Sequence, residues 1–126
     1  SERVAALAGR LAAALGWPVE ARSALAEAGL VHDIGKVGVP GRILLKPGRL
    51  SPAEYEQVKE HAALGARIVA DALSPDQVAW VAGHHERYDG TGYPGGLAGE
   101  AIPLGARILA VADAWDVMTG ARRLYT

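Results

Sequence analysis

His84-His85-Glu86-Arg87-Tyr88-Asp89-Gly90-Thr91-Gly92-Tyr93-Pro94 is the stretch on which the reading of this chain turns. Ahead of it, Ser74-Pro75-Asp76-Gln77 has the form of a helix start, with serine as N-cap and proline at the first helical position. Val78, Val81 and Ala82 follow, so this helix delivers two adjacent imidazoles at its C-terminal end. Behind the pair, residues 87–103 hold Gly90, Gly92, Gly95, Gly96, Gly99 and two prolines. Such a long irregular loop in a compact domain usually carries function. The other two histidines of the chain, His32 and His61, stand beside acidic residues. The pattern predicts four histidines converging on metal, with Tyr93 held over the site to meet a substrate.

Working outward, Val4, Leu7, Ala8, Leu11 and Leu15 recur at helical spacing and predict an amphipathic helix over residues 2–15. Gly16 suits the position just past its end, and Pro18 restarts the chain. A second helix is expected over 18–33, with Leu25, Leu30, Val31 and Ile34 on its core side and Gly35 ending it. Residues 35–50 mix glycine, proline and aliphatics and predict a loop with one helical turn near 42–45. Ser51-Pro52-Ala53-Glu54 is a capping box, opening a helix over 52–73 with a bend near 61–65. A last helix is expected over 103–118, with Leu104, Ile108, Val111, Ala112 and Trp115 on one face. No segment keeps a period of two, so the expected fold is all-α: one helical bundle of about five helices with a long Gly/Pro-rich loop.

The 126 residues suit one compact domain, and half of them are hydrophobic, enough for a single core. Formal net charge is -1, which argues against a nucleic-acid polymer or an acidic membrane as main partner. No cysteine is present, which excludes disulfides and thiolate metal sites and is compatible with a reducing cytoplasm. No apolar run approaches the roughly 18 residues of a membrane span.

Six candidate ligands come from four helices: His32, Asp33, His61, His84, His85 and Asp113. Neighbours on a helix point about 100° apart, so His32 and Asp33 reach one centre only over a helix end. Asp113 lies among apolar residues, where a carboxylate is costly without a cation; Asp116 is one turn on. Imidazole and carboxylate without thiolate suit iron, manganese or zinc. Two metals bridged by Asp33 would sit about 3.5–4 Å apart and clamp a phosphodiester for in-line attack. Each residue alone has an ordinary reading: His61 as a surface residue, Asp113 as a partner of Arg107. Two adjacent buried imidazoles have no structural use, and the set as a whole favours metal. Gly90 to Gly95 also fits the letters of a dinucleotide-binding glycine motif, but with no strand around it that reading fails.

His32-Asp33-Ile34-Gly35-Lys36, His61, the string from His84 to Pro94, and Ile102-Pro103-Leu104 through Asp113 together resemble the HD-GYP family over nearly the whole chain. The resemblance implies a helical HD-type fold with a two- or three-metal centre, often iron or manganese. It implies a phosphodiesterase that opens cyclic di-GMP to pGpG, and in some members goes on to GMP, through a metal-bridging hydroxide that attacks phosphorus. It places His32, Asp33, His61, His84, His85 and Asp113 at metal positions, with Asp33 as the bridge. Lys36, Lys46, Tyr93 and Arg122 match positions near the substrate phosphates or guanines, and Asp116 is a weaker substrate candidate. Lysine and arginine offset phosphate charge, and a tyrosine hydroxyl can donate a hydrogen bond to it.

The family usually carries a histidine just before the position of Ser1, and Ala121-Arg122-Arg123-Leu124 departs from its usual pattern. Two metals are therefore expected, and the chain is expected to be a fragment of a longer cytoplasmic protein, with a sensory or receiver domain upstream as the family habit and a homodimer open. The alternative function is a degenerate HD-GYP domain that binds nucleotide or a protein partner without hydrolysis. A third is an HD-type phosphohydrolase acting on another nucleotide, against which the Gly92-Tyr93-Pro94 loop argues.

Overall fold

A computed structural model describes residues 1–33, 41–44, 46–93 and 95–119, apart from the side chains at 44 and 61–63. Its helices are α1 (Glu2–Ala14), α2 (Val19–Val31), α3 (Gly41–Leu44), α4 (Pro52–Val69), α5 (Pro75–Gly83) and α6 (Leu104–Met118), with a 3₁₀ turn at Gly99–Ala101. The five longer helices are those that the hydrophobic spacing predicts, and α3 is the single turn expected near residues 42–45. Among the described residues the only strand-like pairing is an isolated bridge between Asp89 and Ala98.

Local chemistry fixes most of the boundaries. Leu15 closes α1, and Gly16 takes a φ of +86°, which glycine adopts at no steric cost. Its N–H bonds Ala13 O at 3.0 Å and that of Trp17 bonds Ala12 O at 3.0 Å, the paired bonds of a Schellman ending. Both predicted capping boxes form. Ser51 N–H donates to Glu54 Oε1 at 2.7 Å and Glu54 N–H to Ser51 Oγ at 3.1 Å; the corresponding bonds of Ser74 and Gln77 measure 2.9 and 3.3 Å. Gln77 also reaches across to α2, donating from Nε2 to Ala24 O at 2.9 Å. Helix α2 stops at Val31, two residues short of the expectation. Helix α4 runs as one helix through 61–65, where a bend was expected, and stops at Val69, after which the chain turns.

The core joins four helices through small side chains: Val4, Ala8 and Ala12 of α1, Leu25 and Ala28 of α2, Val81 of α5, and Ile108, Leu109 and Ala112 of α6. Alanines at the crossings let backbones approach closely, so few bulky residues fill the interior. That choice turns α6 relative to its expected orientation. The buried stripe is Gly105, Ala106, Ile108, Leu109, Ala112 and Asp116, whereas Leu104, Val111 and Trp115 face outward. Leu15 and Leu30, expected on the core side, are also exposed. In each case the apolar count suggested a face, and the small residues beside it made the contact. Among the described residues no helix is long and apolar enough to cross a membrane.

Candidate metal centre

Two helix ends carry the site, and both are built the same way. His32 is the C-cap of α2 and His84 the C-cap of α5. At each, the ring Nδ1 lies against the carbonyl three residues back: Gly29 O at 2.7 Å for His32 and Val81 O at 2.6 Å for His84. A carbonyl can only accept, so Nδ1 is the donor in both rings and Nε2 is the nitrogen turned inward. Both rings are buried. Because the helices end here, the residues that follow, Asp33 and His85, turn toward the same space.

The donor atoms meet. His32 Nε2 is 3.0 Å from Asp33 Oδ2 and 3.5 Å from Asp113 Oδ1, and His84 Nε2 is 3.7 Å from Asp33 Oδ1. One ligand atom each from His32, Asp33 and His84 lies within 4.8 Å of the others. His32 Nε2 is buried and makes no hydrogen bond, although it faces two carboxylates. A buried ring nitrogen set this close to two carboxylates needs a cation on the line between them, a proton or a metal ion. Nitrogen and oxygen donors with carbonyl-anchored Nδ1–H groups behind them fit a divalent metal by this observation. The rings of His84 and His85 lie 4.1 Å apart, and those of His32 and His84 meet edge to face at 5.1 Å. Of the six predicted ligands, His32, Asp33 and His84 bring donor atoms together, Asp113 of α6 approaches His32, and His85 packs its ring against that of His84.

Tyr93 stands where the loop was expected to hold it. Its ring is 5.0 Å from that of His85, tilted by 30°, and 5.8 Å edge-on from Tyr55 of α4. Burial first, then the neighbouring Tyr55 and Asp33, raise its hydroxyl pKa well above the usual tyrosine value, so it stays a protonated donor at neutral pH. A cleft of about 310 Å³ opens beside the donors, lined by Tyr55, His84, His85, Arg87, Tyr93 and Asp113 among others.

The remaining candidates fall elsewhere. Lys46 Nζ donates to Glu54 Oε1 at 2.6 Å at the start of α4. That contact, more than the Ser51 N–H bond, holds the Glu54 carboxyl down to about 2. Asp116 is buried on the side of α6 that faces α1, with Arg3 Nε 3.4 Å from Oδ1. Neither lines the cleft. The side chain of His61, together with Lys36 and Arg122, lies outside the described residues. Sequence reasoning missed three cleft residues: Tyr55, Arg87 and Glu86. Nothing in helical spacing distinguishes Tyr55 from a solvated tyrosine. Only the fold shows that Glu86, carboxylate neighbour of the His pair, turns toward the loop.

The HD domain family model matches residues 1–126. The chain is 44% identical to a cyclic di-GMP phosphodiesterase of Thermotoga maritima, over 97% of this chain and 34% of that protein. It is 45% identical to 3'3'-cGAMP-specific phosphodiesterase 1 of Vibrio cholerae, over 97% of this chain and 28% of that one. With the cyclic di-GMP phosphodiesterase response regulator RpfG of Xanthomonas campestris the identity is 44%, over 96% and 33%. The chain thus spans about a third or less of the length of these curated relatives. The HD-GYP resemblance stands on the same matches. With histidine caps at two helix ends facing one carboxylate and a family match along its whole length, the chain belongs to the HD domain family.

Proposed function

We propose that this chain is the catalytic core of a metal-dependent phosphodiesterase that opens cyclic di-GMP to pGpG. One observation carries the reading: imidazole lone pairs and carboxylates from α2, α5 and α6 are buried against each other beside an open cleft. His32, Asp33, His84, His85 and Asp113 would hold two divalent ions, with His61 as a further ligand; iron or manganese suits this donor set. Bound there, such ions supply Lewis acidity toward a phosphoryl oxygen and make water acidic enough to attack near neutral pH.

The chain's own residues do the rest. Gly29 O and Val81 O fix the tautomer and direction of two ligand rings, so the donors need no rearrangement. Asp33 faces both His32 and His84, which supports the reading that its carboxylate would be shared between the ions. The Tyr93 hydroxyl, kept protonated, donates to a non-bridging phosphate oxygen, and Arg87 at the cleft offsets the charge of the second phosphate. Lys36 and Arg122 are proposed as further phosphate contacts.

A second reading is favoured by the comparisons: relatives named for cyclic di-GMP and for 3'3'-cGAMP match at nearly equal identity. The phosphodiester chemistry is common to both, and the bases differ. The test is to incubate the protein, loaded with iron(II) or manganese(II) under reducing conditions, with each dinucleotide separately and to identify the linear product. Asp33→Ala is expected to abolish both metal binding and product. Product formed undiminished by that variant would overturn the role given to Asp33, and no product from either dinucleotide would overturn the phosphodiesterase reading.

A further inference from the structure

We propose that Glu86 is the positioning residue that docks Tyr93 over the metal pocket, an inference that rests on the function proposed above. Glu86 follows the two ligand histidines directly and is nearly buried. A buried carboxylate is costly unless its oxygens are hydrogen-bonded. Here each oxygen takes a backbone N–H from the far limb of the loop: Oε2 accepts from Gly95 at 2.7 Å and Oε1 from Leu97 at 3.0 Å. Both oxygens are thereby engaged, so Glu86 acts on the pocket through the loop rather than as a ligand.

The near limb is seated on the same short segment. Tyr93 N–H donates to His85 O at 3.3 Å. Gly92 lies so close that a Cβ built there would overlap Arg87 N and His85 O. At the base of the loop, Gly90 N–H bonds Arg87 O and Gly99 N–H bonds Tyr88 O, each at 2.8 Å. Tyr93 is therefore flanked by attachments to residues 85–88. The strongest of them are the charge-assisted pair on Glu86. The residue that ends the ligand pair also sets where the tyrosine ring stands, 5.0 Å from His85.

Two variants test this. Glu86→Gln is nearly isosteric, but its amide NH₂ replaces one acceptor and opposes a loop N–H. Glu86→Ala removes both acceptors. In metal-free protein, amide hydrogen exchange at Gly95 and Leu97 should speed up about tenfold or more in Glu86→Gln, the factor for one lost charge-assisted bond. The His85 ring protons should shift as the tyrosine ring leaves. In metal-loaded protein, turnover of the dinucleotide should fall toward that of Tyr93→Ala with metal content unchanged. The Glu86→Ala/Tyr93→Ala double variant should be no worse than Tyr93→Ala alone within about twofold, because the two residues act as one unit. Unchanged exchange at Gly95 and Leu97, losses that multiply in the double variant, or loss of the metal would each overturn the proposal. If the unsubstituted protein turns over no cyclic dinucleotide, the phosphodiesterase reading fails, and the exchange and ring-shift measurements still decide the role of Glu86.

Discussion

Asp33→Asn should stabilise the metal-free protein and remove most of its stabilisation by metal, so that the two stability curves cross. His32 Nε2 is buried 3.0 Å from Asp33 Oδ2. Asparagine keeps the shape of aspartate, removes one negative charge, and can set an amide N–H in place of that oxygen. The new N–H···N bond is worth about 1 kcal/mol net. For a domain of this size, that raises the unfolding midpoint by roughly 3–5 °C. Metal works in the opposite direction. At one hundred times its dissociation constant, an ion that binds only the folded state adds about 2.7 kcal/mol to the unsubstituted protein. Asparagine offers a neutral oxygen where a shared carboxylate is needed, so the variant should keep less than half of that gain. The assay is thermal or urea unfolding of both proteins, with chelator and with manganese(II). A variant destabilised by several kcal/mol in chelator would mean that Asp33 is a structural group. A variant that keeps the full manganese-induced shift would mean that the donors do not form one centre.

Other outcomes follow from the same coordinates. Tyr93→Phe should lower turnover by about tenfold, the cost of one donor to a charged oxygen, and leave metal-induced stabilisation intact; metal analysis and single-turnover kinetics separate the two. Gly92→Ala, whose Cβ has no room over residues 85–87, should raise protease cleavage after Arg87 and reduce activity without loss of metal. Leu25→Ala, at a fully buried position in the four-helix core, should cost about 2–5 kcal/mol in urea unfolding, with metal-induced stabilisation kept in the folded fraction. Acid should loosen the start of α4. The Glu54 carboxyl is held down to about 2 in the folded state, so its contribution is present above its ordinary value of 4.5 and is lost as pH falls through 2. The Ser51 amide resonance should follow that titration, and in Glu54→Gln it should not.

Much of this architecture was legible before any coordinates. The two serine–proline starts set the beginnings of α4 and α5 because a capping box is a local device, complete within four residues. The placing of the candidate ligands at helix ends was legible for a related reason: His32-Asp33 and His84-His85 sit where α2 and α5 stop, and a helix end is where neighbouring side chains can face one point. Orientation of α6 was not legible. Ile108 and Ala112 are buried as expected, but Leu104, Val111 and Trp115 outweigh alanine and glycine in any apolar count, and it is Gly105 and Ala106 that are buried in their place, because close crossings select small residues. Nor could spacing foretell Glu86, whose partners lie nine and eleven residues away on a loop with no period.

The carbonyl anchors behind His32 and His84 bear on ion choice. Each imidazole is leashed to the last turn of its own helix, so the spacing of the two rings is set by how α2 and α5 pack. A bound ion of the wrong radius would not be accommodated by swinging one torsion; it would have to displace a helix terminus against the core. Discrimination among cations would then originate in the bundle's rigidity, and substitutions deep between α2 and α5 should retune which ion is taken up without touching a single donor atom.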